Sequence, residues 1–200
     1  TAAGLSLLLV LFAAWGLTAP PASSSARGFL LVANKGDHTL GIVDPETGRQ
    51  IAAVVESGVT GHETAASPDG KMGYVPIYGN SGVGSAGSDG RTLDVVDLAT
   101  RRVVTTIDFG RPTRPHGAVF GPKDGMLYVT TELTDSIDVI DPRTNKIVAQ
   151  IPTGQPESHM LAITRDGKRG YTSNVHAGTV SAIDLVGRKV IAVIPVSEHA

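Results

Sequence analysis

The 200-residue chain has no cysteine, and its single tryptophan, Trp15, lies in an apolar segment near the start. The missing thiols exclude disulfides, a cysteine nucleophile and a cysteine-linked lipid anchor. Charge of neither sign dominates: 17 Lys and Arg stand against 19 Asp and Glu, a formal net charge of −2 spread along the chain. That balance gives no electrostatic footprint for nucleic acid, and no polybasic or amphipathic helical stretch suits a membrane surface. Beyond the leader no apolar period of 3.6 residues is found, which argues against a helical domain. Gly-x-Ser-x-Gly and His-Glu-x-x-His are also absent, so no hydrolase motif offers a starting point.

What the chain does contain is a repeat. An Asp closes a short apolar run at Asp44, Asp97, Asp141 and Asp184, at spacings of 53, 44 and 43 residues. Asp-Gly pairs fall at Asp69-Gly70, Asp124-Gly125 and Asp166-Gly167. His62, His116 and His159 follow the first three marker aspartates by 18, 19 and 18 residues. Three markers in phase define a structural unit. The cleanest copy, Leu127 to Asp166, holds β-branched runs of four to six residues, such as Ile137-Asp138-Val139-Ile140, bounded by turn residues. Those are strand lengths and strand compositions, and Asp-Gly supplies the positive φ of a tight hairpin. Four strands per unit of about 40–45 residues is the period of a propeller blade.

The second strand of the unit carries the resemblance. Tyr128-Val129-Thr130-Thr131, with looser copies at Tyr74-Val75-Pro76-Ile77, Tyr171-Thr172-Ser173-Asn174 and Leu31-Val32-Ala33-Asn34, resembles the signature of the YVTN-repeat β-propellers. Ser67-Pro68-Asp69-Gly70-Lys71 is similar to that family's strand-to-strand turn, and the likeness covers about residues 29 to 196. The resemblance implies an all-β fold of four-stranded antiparallel blades and a binding scaffold that works through top-face loops and an axial pocket. Two other functions are implied more distantly. Lactonase propellers resemble the family and use axial His, Glu and Arg, for which His116, Arg114 and Glu63 are the residues to test. Propellers that carry haem d1 share the fold alone; no haem-attachment motif occurs here, and no cofactor is expected.

Leu5 to Leu17 is an uncharged apolar run of 13 residues, followed by small residues to Ala26. It is short for a membrane span and matches a secretory h-region. The expectation is a signal peptide over residues 1–26, cleaved before Arg27, and a periplasmic or secreted protein without a stable membrane span. Residues 27–200 are expected to form a partial propeller with blades at about 29–56, 62–108, 116–152 and 159–196. The first blade lacks its innermost strand, A. Four blades are fewer than the seven or so that commonly close a ring, so the stretch reads as a fragment of a chain near 350 residues, monomeric once closed.

Strand A lines the hub, so His62, His116 and His159 are expected near one mouth of the central channel. With Glu63, Arg111, Arg114 and Glu157 they form a candidate polar pocket for a small polar ligand or a protein partner. The plainer reading is that duplication copied a channel-lining residue whose imidazole bonds loop backbone. No metal is expected, because histidines spread around a wide channel would not come within 2.0–2.1 Å of one ion. Gly82-x-Gly84-x-x-Gly87, in the insertion Gly79 to Gly90, has the form of a dinucleotide fingerprint, but a strand follows it where the fingerprint needs a helix. The insertion is either a flexible lid or a tolerated surface loop. The marker aspartates read as turn residues that bond backbone two positions on.

Overall fold

A computed structural model describes residues 28–82 and 86–196; the leader, residues 83–85 of the insertion and His199 lie outside them. Fifteen strands form four antiparallel sheets in strict sequence order. The first holds three strands, β1 (Leu30–Asn34), β2 (Thr39–Asp44) and β3 (Arg49–Val55). The second holds β4 (Ala65–Ala66), β5 (Met72–Gly79), β6 (Asp89–Asp97) and β7 (Arg102–Asp108). The third holds β8 (Pro115–Phe120), β9 (Leu127–Thr131), β10 (Ser136–Asp141) and β11 (Lys146–Pro152). The fourth holds β12 (Ser158–Ile163), β13 (Arg169–Asn174), β14 (Thr179–Asp184) and β15 (Lys189–Pro195). Each sheet is an up-and-down meander, so every connection is a hairpin or a short step to the next sheet.

The sheets stack face to face, with one apolar layer in each gap. Leu40, Ile42 and Val54 meet Val75, Ile77 and Val96 between the first two sheets. Tyr74, Leu93, Val95 and Ile107 meet Leu127, Val129 and Ile140 in the next gap. Tyr128, Ile137, Val139 and Ile151 meet Leu161, Ile183 and Leu185 in the last. The alternation of a strand sends Val95 and Val96, or Val139 and Ile140, to opposite gaps. Central strands covered on both faces therefore read as continuous apolar runs. Each fully buried aliphatic or aromatic side chain contributes about 1.5–3 kcal/mol.

The turns explain the signature residues. Asp44, Asp97 and Asp141 accept backbone N–H bonds from residues two positions on, and Asp184 accepts from Gly187. The last Thr or Asn of the second strand spans the following hairpin: Asn34 donates to Thr39, Asn174 to Thr179, and Thr131 to the Ser136 carbonyl. The third residue fastens strand A, since Thr130 accepts from Gly117 N and Ser173 from Met160 N. Pro76 holds that place in the second sheet and has neither a hydroxyl nor an N–H. Strand A there does not open at His62 as expected. It shrinks to Ala65–Ala66 plus an isolated bridge between Gly61 and Ile77.

Each outer strand carries an irregularity at the same place, opposite Ile42/Val43, Val95/Val96, Val139/Ile140 and Ala182/Ile183. The residue left over in the outer strand is Ile51, Val104, Val148 or Ile191, and all four are exposed. A bulge bends the strand and spoils its edge as a template for pairing with another chain. Among the described residues no helix is long and apolar enough to cross a membrane.

Candidate functional site

The three histidines meet. Each follows by two residues a non-glycine residue in the left-handed region: Thr60 (φ 61°), Arg114 (φ 49°) and Glu157 (φ 57°). Such a conformation costs about 1 kcal/mol or more, and here it aims a carbonyl at the neighbouring hairpin. The carbonyls of Thr60, Arg114 and Glu157 accept the N–H groups of Tyr78, Glu132 and Val175 at 2.9, 3.3 and 3.0 Å. The loop before strand A is thereby locked to the residue just past the four-residue signature in its own sheet. In the second sheet that lock sets His62 beside Tyr78, and His159 meets Glu132 of the sheet before it.

The His62 ring stacks on Tyr78 with centroids 4.2 Å apart, and its Nδ1 lies 3.4 Å from His116 Nε2. The rings of His116 and His159 are 3.9 Å apart between centroids. Glu132 closes the cluster. Its Oε2 accepts the Tyr78 hydroxyl at 2.6 Å, and its Oε1 lies 2.5 Å from His159 Nδ1. The Glu132 side chain has no exposed area and His116 is 4% exposed. His116 Nδ1 and His62 Nε2 are buried without a hydrogen-bond partner among the described residues. The expectation that successive blades would hold their histidines too far apart is therefore corrected. The strands that carry His116 and His159 touch, and the rings of adjacent sheets come into direct contact.

Burial, and next the Lys35 charge, lower the pKa of His62 to about 4. Burial, then His159, His62 and Lys35, lower that of His116 to about 3. Burial, with Glu132 beside it, pushes the Tyr78 hydroxyl above its ordinary value and keeps it a donor. Near neutral pH, His62 and His116 are therefore uncharged and offer lone pairs. The unfolded imidazoles titrate near 6.5, so on acidification the unfolded chain takes up protons first. The contribution of both rings is complete above about pH 6.5 and is lost as the pH falls towards their folded values. Urea unfolding should give a lower stability at pH 5 than at pH 7, by on the order of 2 kcal/mol for each of the two rings. The groups facing His116 are His62, His159, Glu132, Tyr78, Lys35 and Arg114, and His116→Gln should remove about half of the slope across that window.

The other expected site residues divide. Arg114 borders the cluster: its Nε donates to Asp89 Oδ1 at 2.7 Å and its guanidinium lies 5.9 Å from the Tyr78 centroid. Glu157 acts through its backbone, with its N–H on Asp135 Oδ1 as well as the carbonyl bond above. Arg111 is exposed, and its charge is felt by Asp138. Glu63 is half-buried and takes no part in the contacts among the three rings. The trio His116, Arg114 and Glu63, implied by likeness to lactonases, is thus not assembled as a unit. The insertion lengthens the β5–β6 hairpin, where Asn80 Oδ1 accepts Ser88 N and Asp89 presents its carboxylate to Arg114. A strand follows it, as the rejection of a nucleotide fingerprint required.

Glu132, Tyr78, Asp89 and Lys35 were not singled out from the sequence. A signal for three of them existed. Lys35, Tyr78 and Glu132 each come immediately after a copy of the signature, and Tyr78 and Glu132 are 54 residues apart, as are His62 and His116. Their chemical types differ from unit to unit, so no repeated letter marks the position.

No protein-family model matches the chain. A protein of Mycobacterium tuberculosis described as a seven-bladed beta-propeller protein is 30% identical over 139 residues, 67% of this chain and 31% of that protein. Among solved structures, a chain of Kuenenia stuttgartiensis hydrazine synthase superposes with a TM-score of 0.70 at 24% identity, covering 84% of this chain and 46% of that one. The present chain therefore spans about a third and about half of the lengths of these two relatives. Together with the four consecutive antiparallel sheets, the likenesses establish a β-propeller, of which about four blades are present.

Proposed function

We propose that this chain belongs to an exported propeller of the YVTN type that binds a small polar ligand at the hub end where His62, His116 and His159 meet. One observation carries the reading: three successive sheets deliver imidazoles into mutual contact around a buried carboxylate, with two ring nitrogens left unpartnered among the described residues. A purely structural histidine would have its nitrogens satisfied by loop backbone. The apolar run Leu5 to Leu17 supports export, and the signature copies support the YVTN assignment.

The test is an NMR titration of the histidine ring resonances with a panel of small carboxylates, phosphate and sugars. At least one compound should shift His62 and His116 saturably, and His62→Ala should weaken that response at least tenfold. Ligands that perturb only residues remote from the three rings would overturn the reading.

A further inference from the structure

We propose that His116, Glu132 and His159 form a binding site for a single first-row divalent metal ion, with zinc the ion it suits best. The proposal rests on the reading of this hub end as a binding site and names its ligand.

Each of the three residues offers one ligand atom, and these atoms lie within 4.8 Å of one another. In a tetrahedral zinc site, bonds of 2.0–2.1 Å place neighbouring ligand atoms about 3.3 Å apart. Glu132 Oε1 and His159 Nδ1 start closer, at 2.5 Å, so their hydrogen bond must open by roughly 1 Å to admit an ion between them. The widest separation in the set must close by up to about 1.5 Å. Both movements are within the reach of side-chain rotation.

Two features point to a ligand rather than to a closed polar core. His116 is 4% exposed, and its Nδ1 is buried with no partner among the described residues. A buried imidazole nitrogen without a partner is costly unless something ligates it. The surrounding shell also has the form that metal sites use. Tyr78 donates to Glu132 Oε2, which leaves Oε1 for the ion, and His62 Nδ1 lies against His116 Nε2 and steadies that ring. The tautomer that places the His116 proton on Nε2, towards His62, leaves the lone pair on Nδ1. Two imidazoles and one carboxylate fill three positions and leave at least one for water or a polar ligand.

The test uses the chain stripped with a chelator and titrated with Co²⁺ as a spectroscopic probe, then with Zn²⁺ in competition. The expected result is one equivalent of Co²⁺ with a ligand-field band in the visible, displaced by one equivalent of Zn²⁺, and a zinc-dependent rise in melting temperature. Glu132→Gln and His159→Gln should each weaken binding at least tenfold, and Tyr78→Phe should weaken it by a smaller factor. His176→Gln, outside the cluster, should leave it unchanged. Circular dichroism checks that the variants fold; His159 lies nearer the surface than Glu132, so its variant keeps the test open if Glu132→Gln does not fold. Absence of the band and of any melting shift in the parent chain would overturn the proposal, as would undiminished stoichiometric binding in both ligand variants. If the metal fails while small molecules still shift His62 and His116, only the metal assignment falls.

Discussion

Asp94→Ala is expected to lower stability by about 3 kcal/mol, because three donors converge on that one carboxylate. Asp94 has no exposed area, and it accepts Ser57 N at 2.7 Å, Ser57 Oγ at 2.6 Å and Thr106 Oγ1 at 2.9 Å. Ser57 follows the last strand of the first sheet, whereas Asp94 and Thr106 belong to the second. The carboxylate therefore ties two blades together across their gap. Alanine would take the acceptor away from the Ser57 backbone N–H and from two hydroxyls at once. Asp94→Asn keeps one acceptor and should lose roughly half as much. Asp138 holds the same place in the third sheet, where Gln150 Nε2 donates to it at 2.9 Å from within its own blade, so Asp138→Ala should be milder. Chemical denaturation followed by circular dichroism measures all three, and equal losses at Asp94 and Asp138 would show that the strut between blades is not what matters.

Gly90→Ala should cost about 3 kcal/mol, at the upper end for overpacking. A methyl group at Gly90 would run into the Ile77 carbonyl oxygen and the carbons beside it, all of them backbone. Backbone on both sides of a hairpin cannot step aside as a side chain can. The Gly90 carbonyl also accepts the N–H groups of Thr113 and Arg114, both at 3.0 Å. Parting the hairpin would thus pull away the loop that leads to His116. Hydrogen exchange should quicken at Thr113 and Arg114 as well as at Gly90. Gly170→Ala is the control, because its methyl group would meet the side-chain ends of Leu185 and Leu161 at 3.2 and 3.3 Å. Those can rotate, and the loss should stay below about 1.5 kcal/mol. Matching effects at the two glycines would refute the argument from backbone rigidity.

The fold was legible because its causes are local and repeated. Asp141 and its counterparts terminate a strand through their own turn, Asp-Gly sets a hairpin, and alternation sends Val139 and Ile140 to opposite gaps; each mark can be read without knowing what lies across the sheet. The three histidines were legible for the same reason. Their close approach was not, since it depends on how far adjacent inner strands converge, and no single repeat contains that distance. Glu132 escaped notice because its partners, Tyr78 and His159, lie 54 and 27 positions away, and its own position carries lysine, tyrosine and valine in the other units. The shortened strand A of the second blade could have been foreseen from Pro76, which brings neither a hydroxyl nor an N–H to the third place, where the next two blades carry Thr130 and Ser173. Asp89 could not, because it sits in an insertion that the other blades lack.

The carbonyl of Thr60, Arg114 or Glu157 holds the backbone of the residue opposite and is indifferent to its side chain. Tyrosine, glutamate and valine occupy that seat in three successive blades over the same main-chain bond. Chemistry at the hub can therefore be rewritten one spoke at a time while the wheel keeps its shape. Val175, bare of any functional group, is the natural place to install a new one.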